Sequence, residues 1–283
     1  MSAADLLIPT VTAATLARSG HANQDRYLVL PNAIAVLDGA TNPDEPEGGN
    51  GGWYAGELLA ALAPRLARDT QLPLVDVLRD AIAETADRHE LVAGQSPSST
   101  VALIRWDNLT LDALLLADST IVVQHDEALK VLTDERIQHA KSAPRVIPSG
   151  RVGFGPDHDL FMSGVRAAEL KSRNVAEGYW VAEATPDAAA YAVTYRCAIS
   201  AVKAVLVLTD GAAAVVDRYT QCNDWQDALA LASNAGVCML LARVRAAEAL
   251  DPNGILWPRS KPEDDATAVL LAFRGGEYSQ GSI

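Results

Sequence analysis

The run Ala33 to Leu37 is wholly apolar and stops abruptly at Asp38 and Gly39. An apolar run that ends on a carboxylate reads as a buried strand delivering one charge to the rim of a sheet. Four further aspartates stand in comparable places: Asp25 in NQDRYLVL, Asp118 in LLLADSTIVV, Asp210 in AVLVLTDGAAA and Asp264 in DDATAVLLAF. Five strand-like segments thus begin or end at an aspartate. If those segments share a sheet their carboxylates converge, and because they span Asp25 to Asp264 the whole chain, residues 1–283, is expected to form one domain.

The pattern around these strands sets the fold class. A first strand is expected over Leu6 to Ala13, then a hairpin in which YLVL and AIAVL flank the turn pair Pro31 and Asn32. The stretch Asp44 to Gly52 is too rich in Gly, Pro and acid for regular structure and reads as a loop bordering the site. From Trp53 onward Leu58, Leu59, Leu62 and Leu66 recur at helical spacing, with Pro64 expected to bend the segment. A second helix is expected over about 74–91. STVALIRW, LTLDALLLA and TIVVQH read as three successive antiparallel strands.

Between Thr133 and Ala201 the periodicity loosens into short helical pieces, read as a flap-like insertion over the edge of the site. Strand character returns in KAVLVLT, helices are expected near 225–233 and 238–250, and ATAVLLAF closes the chain as a strand. No regular alternation of strand and helix is visible, which favours an α+β fold of antiparallel sheets flanked by helices. Trp53, Trp180 and Trp257 read as packing residues.

Composition excludes several roles. Thirty-six acidic against 23 basic residues give a net charge of −13, so a polyanion is repelled and no nucleic-acid partner is expected. Three cysteines, Cys197, Cys222 and Cys238, have neither metal-finger spacing nor the even count of a disulfide scaffold, which suits a reducing cytoplasm. No signal-peptide pattern opens the chain and no run approaches the roughly 20 apolar residues of a membrane span, so a soluble cytoplasmic protein is expected.

Several aspartates without a matching His or Cys set point to hard divalent cations, Mn²⁺ or Mg²⁺, which prefer oxygen ligands. Zinc is disfavoured by the absence of HExxH and CxxC patterns. Gly39 has no side chain, so its carbonyl can approach an ion that Asp38 already holds. Two such ions sharing a water lower its pKa and present hydroxide to phosphorus, which suggests metal-assisted hydrolysis of a phosphoester.

Taken in order, NQDRYLVL, LDGAT, SSTVALI, LADSTIVV, LTDG and DDATAVLL resemble the metal-dependent type-2C serine/threonine protein phosphatases, and the resemblance covers most of the chain. It implies a four-layer α-β-β-α sandwich. It also implies a binuclear Mn²⁺ or Mg²⁺ site that removes phosphate from a phosphorylated protein, the product of a kinase, without a covalent intermediate. By position Asp38 bridges both ions and the Gly39 carbonyl ligates one. Asp210 and Asp264 complete the first ion's shell, and Asp25 acts on the second, directly or through water. Asp118 matches the position that helps hold a third, weaker ion. Asp265 stands where the family usually has Asn.

Two positions depart from the family pattern. The arginine that grips phosphate five residues before the first aspartate is Gly20 here, and His21, Arg26 or Arg18 are the candidates to replace it. Ala40, Thr41 and Asn42 replace the usual Gly-His-Gly-Gly continuation. The missing arginine motivates a second reading, a pseudophosphatase acting as a regulatory binding module. The string Asp-Gly-Ala-Thr also suggests a haloacid-dehalogenase-like phosphatase, but that chemistry needs an aspartate at position 36, which is Val36.

Overall fold

Alternation within the strands decides the architecture. The computed structural model describes residues 8–40, 50–68, 71–126, 128–137 and 153–273. In the strand Ala33–Ala40, Ala33, Ala35 and Leu37 pack into one core while Ile34 and Val36 pack into another. Successive side chains on a strand face opposite ways, so a strand apolar on both faces must lie between two layers.

The same split runs through both sheets, whose strands pair antiparallel throughout. The first sheet has the order β1 (Thr10–Leu16), β11 (Ala266–Ala272), β10 (Ala204–Leu208), β7 (Thr120–Gln124) and β8 (Leu129–Leu132). The second has β2 (Asp25–Leu30), β3 (Ala33–Ala40), β5 (Val101–Trp106), β6 (Thr110–Leu116) and β9 (Val193–Ala198), with β4 (Ser98–Ser99) paired to β3. Ile34, Ile104 and Leu115 of the second sheet meet Val207, Val269 and Ile121 of the first in the central core.

Helices cover the two outer faces. Leu58, Leu62 and Leu66 of α1 (Gly51–Arg68) and Leu78 and Ile82 of α2 (Leu74–Arg88) pack on Leu37, Leu103 and Leu114. On the other side α4 (Asp210–Asp217), α5 (Trp225–Ala235) and α6 (Val237–Leu250) pack on Leu206, Leu208 and Leu270. α5 begins where the Asp224 carboxylate accepts from the Asp227 N–H at 2.9 Å and ends at Gly236, whose φ of +88° turns the chain directly into α6. The layers are therefore α-β-β-α, as the sequence pattern and the resemblance implied. Among the described residues no helix is long and apolar enough to cross a membrane.

Several elements differ from the sequence reading. β6 and β7 do not pair. The chain crosses from one sheet to the other between them, through Ala117 at φ +73° and Asp118. Alternation reports which faces are buried, not which neighbour a strand takes, so sequence order suggested a meander that is absent. α1 runs unbroken through Pro64. β8 and α4 were not anticipated; β1 runs over Thr10–Leu16, beginning after Ile8, and Leu6 lies outside the described residues. Within 133–201 lie α3 (Pro156–Leu170), a short 3-10 turn over Pro186–Tyr191 and the edge strand β9. Most of the acidic loop Asp44 to Gly52 lies outside the described residues, but Gly51 and Gly52 open α1.

The central core gives a direct test. Ile34 is fully buried between the sheets, so Ile34→Ala should lower the unfolding free energy by about 2–5 kcal/mol through lost transfer energy and a residual cavity. Urea unfolding followed by far-UV circular dichroism measures it. Tyr27, 40% exposed on β2, should tolerate Ser with a change of less than about 0.5 kcal/mol.

Candidate functional site

Strand register brings the first two carboxylates together. Asp25 opens β2 and is paired in the ladder with Asp38 near the end of β3, so both stand at the same rim of the second sheet. Asp210 follows β10 and starts α4, while Asp264 and Asp265 immediately precede β11, both strands belonging to the first sheet. The two rims meet. The Thr209 and Thr267 hydroxyls, from the first sheet, donate to Asp25 Oδ2 at 2.9 and 2.7 Å. A row of polar side chains continues outward, Thr267 Oγ1 to Thr15 Oγ1 at 2.7 Å and Asn23 Nδ2 to Thr15 Oγ1 at 2.7 Å.

The backbone of Asp38 is braced in the same manner. Its N–H donates to Thr100 Oγ1 at 3.2 Å, its carbonyl accepts from Thr100 N at 2.9 Å and Ser99 Oγ at 3.0 Å, and Thr100 Oγ1 meets Ser119 Oγ at 2.8 Å. The four residues Ser98 to Val101 are buried, so these hydroxyls act without competition from bulk water.

Glycines set the spacing between elements. A Cβ on Gly39 would sit 2.3 Å from the Gly51 carbonyl oxygen, so the start of α1 lies directly against β3. A Cβ on Gly211 would lie 2.0 Å from the Asp265 carbonyl oxygen and 3.1 Å from Asp264 Cβ. That contact presses the first turn of α4 onto the entrance of β11 and holds Asp210 beside Asp264. From α6, Arg245 donates to the Asp264 carbonyl at 2.6 Å, and Glu248 Oε2 accepts from Arg245 at 2.6 Å. The backbone at Asp264 is thus clamped from both sides.

Electrostatics follow from this crowding. Burial raises the Asp25 carboxyl to about 7, with the Thr267 and Thr209 hydroxyls pulling it down and the charges of Asp264 and Asp265 pushing it up. Burial likewise raises Asp38 well above the usual carboxylate range, reinforced by Asp25, Asp210 and Asp264 and opposed by Lys261. The carboxylates that act on Asp38 are three of those singled out in the sequence. Among the described residues, Asp25 Oδ1 and Asp210 Oδ1 are buried without a hydrogen-bond partner.

Asp265 has a different task. Its two oxygens accept from the backbone N–H groups of Arg18 at 2.8 Å and Gln24 at 2.9 Å, fixing the loop that carries His21. Arg18, His21 and Arg26 line one open cleft with Gly52 and Trp53. Arg26 Nη1 is engaged by the carbonyls of Asn23 and Asp25 at 2.7 and 2.8 Å, and Arg18 Nη2 lies 3.1 Å from His21 Nδ1. Gly20 adopts φ +77° with open space around it. Asp118 sits in the β6–β7 crossing, one residue from Ser119, and is not among the main charges acting on Asp38. Trp180 is 7% exposed and stacked on Tyr191 at 3.6 Å, and Trp257 packs edge-on against Tyr219, while Trp53 remains 41% exposed.

Sequence reasoning missed Thr15, Thr209, Thr267, Lys261 and Arg245. The signal for the threonines was present, since Thr209 and Thr267 interrupt otherwise apolar runs. Among the described residues no group of three or more His, Cys, Asp or Glu side chains is arranged to hold a metal ion. The donor chemistry nonetheless suits a hard cation: the oxygens are carboxylate, two of them lack partners, and their mutual repulsion calls for positive charge.

No protein-family model matches the sequence, and no curated protein matches it. Solved structures do. The catalytic domain of the serine/threonine protein phosphatase PstP, in complex with two manganese ions, superposes with a TM-score of 0.55 at 17% identity, covering 94% of this chain and 98% of that one. The serine/threonine phosphatase Stp1 from Staphylococcus aureus gives 0.60 at 11% identity over 95% and 96%. A C. elegans sex determining protein gives 0.56 at 18% identity over 94% of this chain, which spans 65% of that protein. The fold is that of the bacterial type-2C serine/threonine phosphatases.

Two predictions follow from the packing and the charges. Gly211→Ala should destabilise the protein by roughly 1–3 kcal/mol or more, because backbone occupies the space of the new methyl, and thermal unfolding measures it. The unfolded state releases the Asp25 proton near the ordinary carboxylate value of 3.8, whereas the folded state keeps it to about 7. This group's contribution in chelator-treated protein therefore falls as pH rises from about 4 to about 7. Asp25→Asn should flatten that part of the stability profile.

Proposed function

We propose that this chain is a phosphoprotein phosphatase that hydrolyses phosphoserine or phosphothreonine in a protein substrate, using a pair of Mn²⁺ or Mg²⁺ ions. The observation that carries the reading is the group of mutually repelling carboxylates, Asp25, Asp38, Asp210 and Asp264, at one rim, with Asp25 Oδ1 and Asp210 Oδ1 left without protein partners. Its fold neighbours support it, since PstP and Stp1 are named serine/threonine phosphatases and PstP holds two manganese ions.

In this reading Asp38 would hold both ions. The Gly39 carbonyl, Asp210 and Asp264 would hold the first, and Asp25 the second, directly or through water. Asp118 would help to hold a third, weaker ion. When bound, such ions lower the pKa of a shared water and polarise a phosphoryl oxygen. The protein's own part is to hold the acids still. Thr209 and Thr267 fix one oxygen of Asp25 and leave the other available, while Ser99 and Thr100 fix the backbone from which Asp38 projects. Asp38 and Asp25 would be the catalytic carboxylates, orienting the attacking water relative to phosphorus.

His21 and Arg26, with Arg18, would receive the phosphate dianion in the open cleft, and a partly exposed cleft suits a phosphorylated segment of a folded partner. The partner expected is a kinase-modified protein. The second reading, a regulatory module that binds without turnover, draws on Gly20, which offers no side chain where phosphate-gripping arginine is expected.

Turnover separates the two. Hydrolysis of a phosphothreonine peptide in millimolar Mn²⁺ should be abolished by EDTA and reduced at least about a hundredfold in Asp38→Asn, the loss of several kcal/mol of metal-derived stabilisation. Unchanged activity in that variant, with its circular dichroism intact, would overturn the assignment. Peptide binding by calorimetry with no hydrolysis at saturating Mn²⁺ would favour the module.

A further inference from the structure

One cation enters the carboxylate cluster from the chain itself. The Lys261 ammonium pairs with Asp264 Oδ1, and its charge also bears on Asp210 and Asp38. Nothing in the sequence pattern or the resemblance assigned it a role.

Its surroundings combine a fixed backbone with a partly exposed side chain. Two residues before it, Arg259 is buried, pairs with Asp251 at 3.0 Å and donates to the Pro262 carbonyl at 3.1 Å. Two residues after it, Glu263 accepts from the Ser19 N–H at 2.7 Å, and just before it the Ser260 carbonyl lies 2.9 Å from His158 Nε2. Lys261 itself is 34% exposed at its side chain against 15% for Asp264. An ammonium on a flexible four-carbon stem, hydrated at its outer side, can leave its carboxylate without backbone movement.

We propose, resting on the metal reading above, that Lys261 is a built-in counter-ion of the cluster: in the metal-free protein it neutralises Asp264, and a divalent cation entering at Asp264 displaces it into solvent. The oxygen it holds belongs to a residue assigned to the first ion, and one carboxylate oxygen cannot present the same lone pair to an ammonium and to a metal. The exchange tempers metal affinity and spares the empty site from the full repulsion of four acids.

The test is calorimetric titration of Mn²⁺ into chelator-stripped wild type, Lys261→Met and Lys261→Arg, with thermal unfolding of each in EDTA and in saturating Mn²⁺. Lys261→Met should bind roughly tenfold more tightly, as expected when a partly exposed ion pair no longer competes. Lys261→Arg should stay near wild type. The Met variant should melt lower than wild type in EDTA and draw level with it in Mn²⁺. Equal or weaker Mn²⁺ binding by Lys261→Met, while wild type binds, overturns the exchange and leaves the metal reading standing. Binding by Lys261→Met alone supports the exchange in its strongest form. Absence of binding to both proteins overturns the metal reading and this one with it. Lys261→Gln is the neutral substitute should Lys261→Met fail to fold.

Discussion

Two hydroxyls from one sheet close on a carboxylate from the other, and the rest of the rim is arranged around that contact. Asp25 begins a strand of the second sheet but is held by Thr209 and Thr267 of the first. A buried acid ordinarily loses its charge or finds a cation. Here the hydroxyls satisfy one oxygen, while the charges of Asp264 and Asp265 bear on the carboxyl as a whole. The contact fixes the distance between the sheets at the end where Asp38, Asp210 and Asp264 also emerge.

The crowding would be unstable without positive charge, and the fold supplies or invites it in three ways. Lys261 reaches in from the segment before β11. The first turn of α1 lies against Gly39, bringing the positive end of a helix dipole toward β3. The acidic oxygens themselves are of the kind that hard divalent ions seek. The glycines at 39 and 211 earn their positions through close packing, since backbone occupies the space their side chains would need.

The layers were legible in the sequence because alternation is a physical record of burial. Ala33–Leu37 of β3, Val101–Ile104 of β5 and all of β10 are apolar, and their two faces separate into an inner and an outer core. The aspartates were legible because each interrupts or bounds such a run. What remained hidden were relations that periodicity does not encode. TIVVQ looked like the next strand of a meander and instead pairs with β10 in the other sheet. DGAAAVVD is too short and too uniformly small to show a helical stripe, yet it folds as α4. The strand VTYRCA, at the sheet edge with one face wet, was lost among the loose periodicity of its surroundings. Lys261 could not be found by pattern, because a single lysine in a polar segment has no period, and only the folded chain shows which acid it meets.

Asp265 carries a consequence for how this architecture can diversify. By accepting the amides of Arg18 and Gln24 it holds the loop between them from outside, through main-chain atoms alone. The curvature of that loop therefore makes no demand on the identity of His21 or Ala22, which face the cleft. The side chains at those two positions can therefore change while the scaffold beneath them stays the same, a separation of the cleft's lining from the loop's shape written into a single carboxylate.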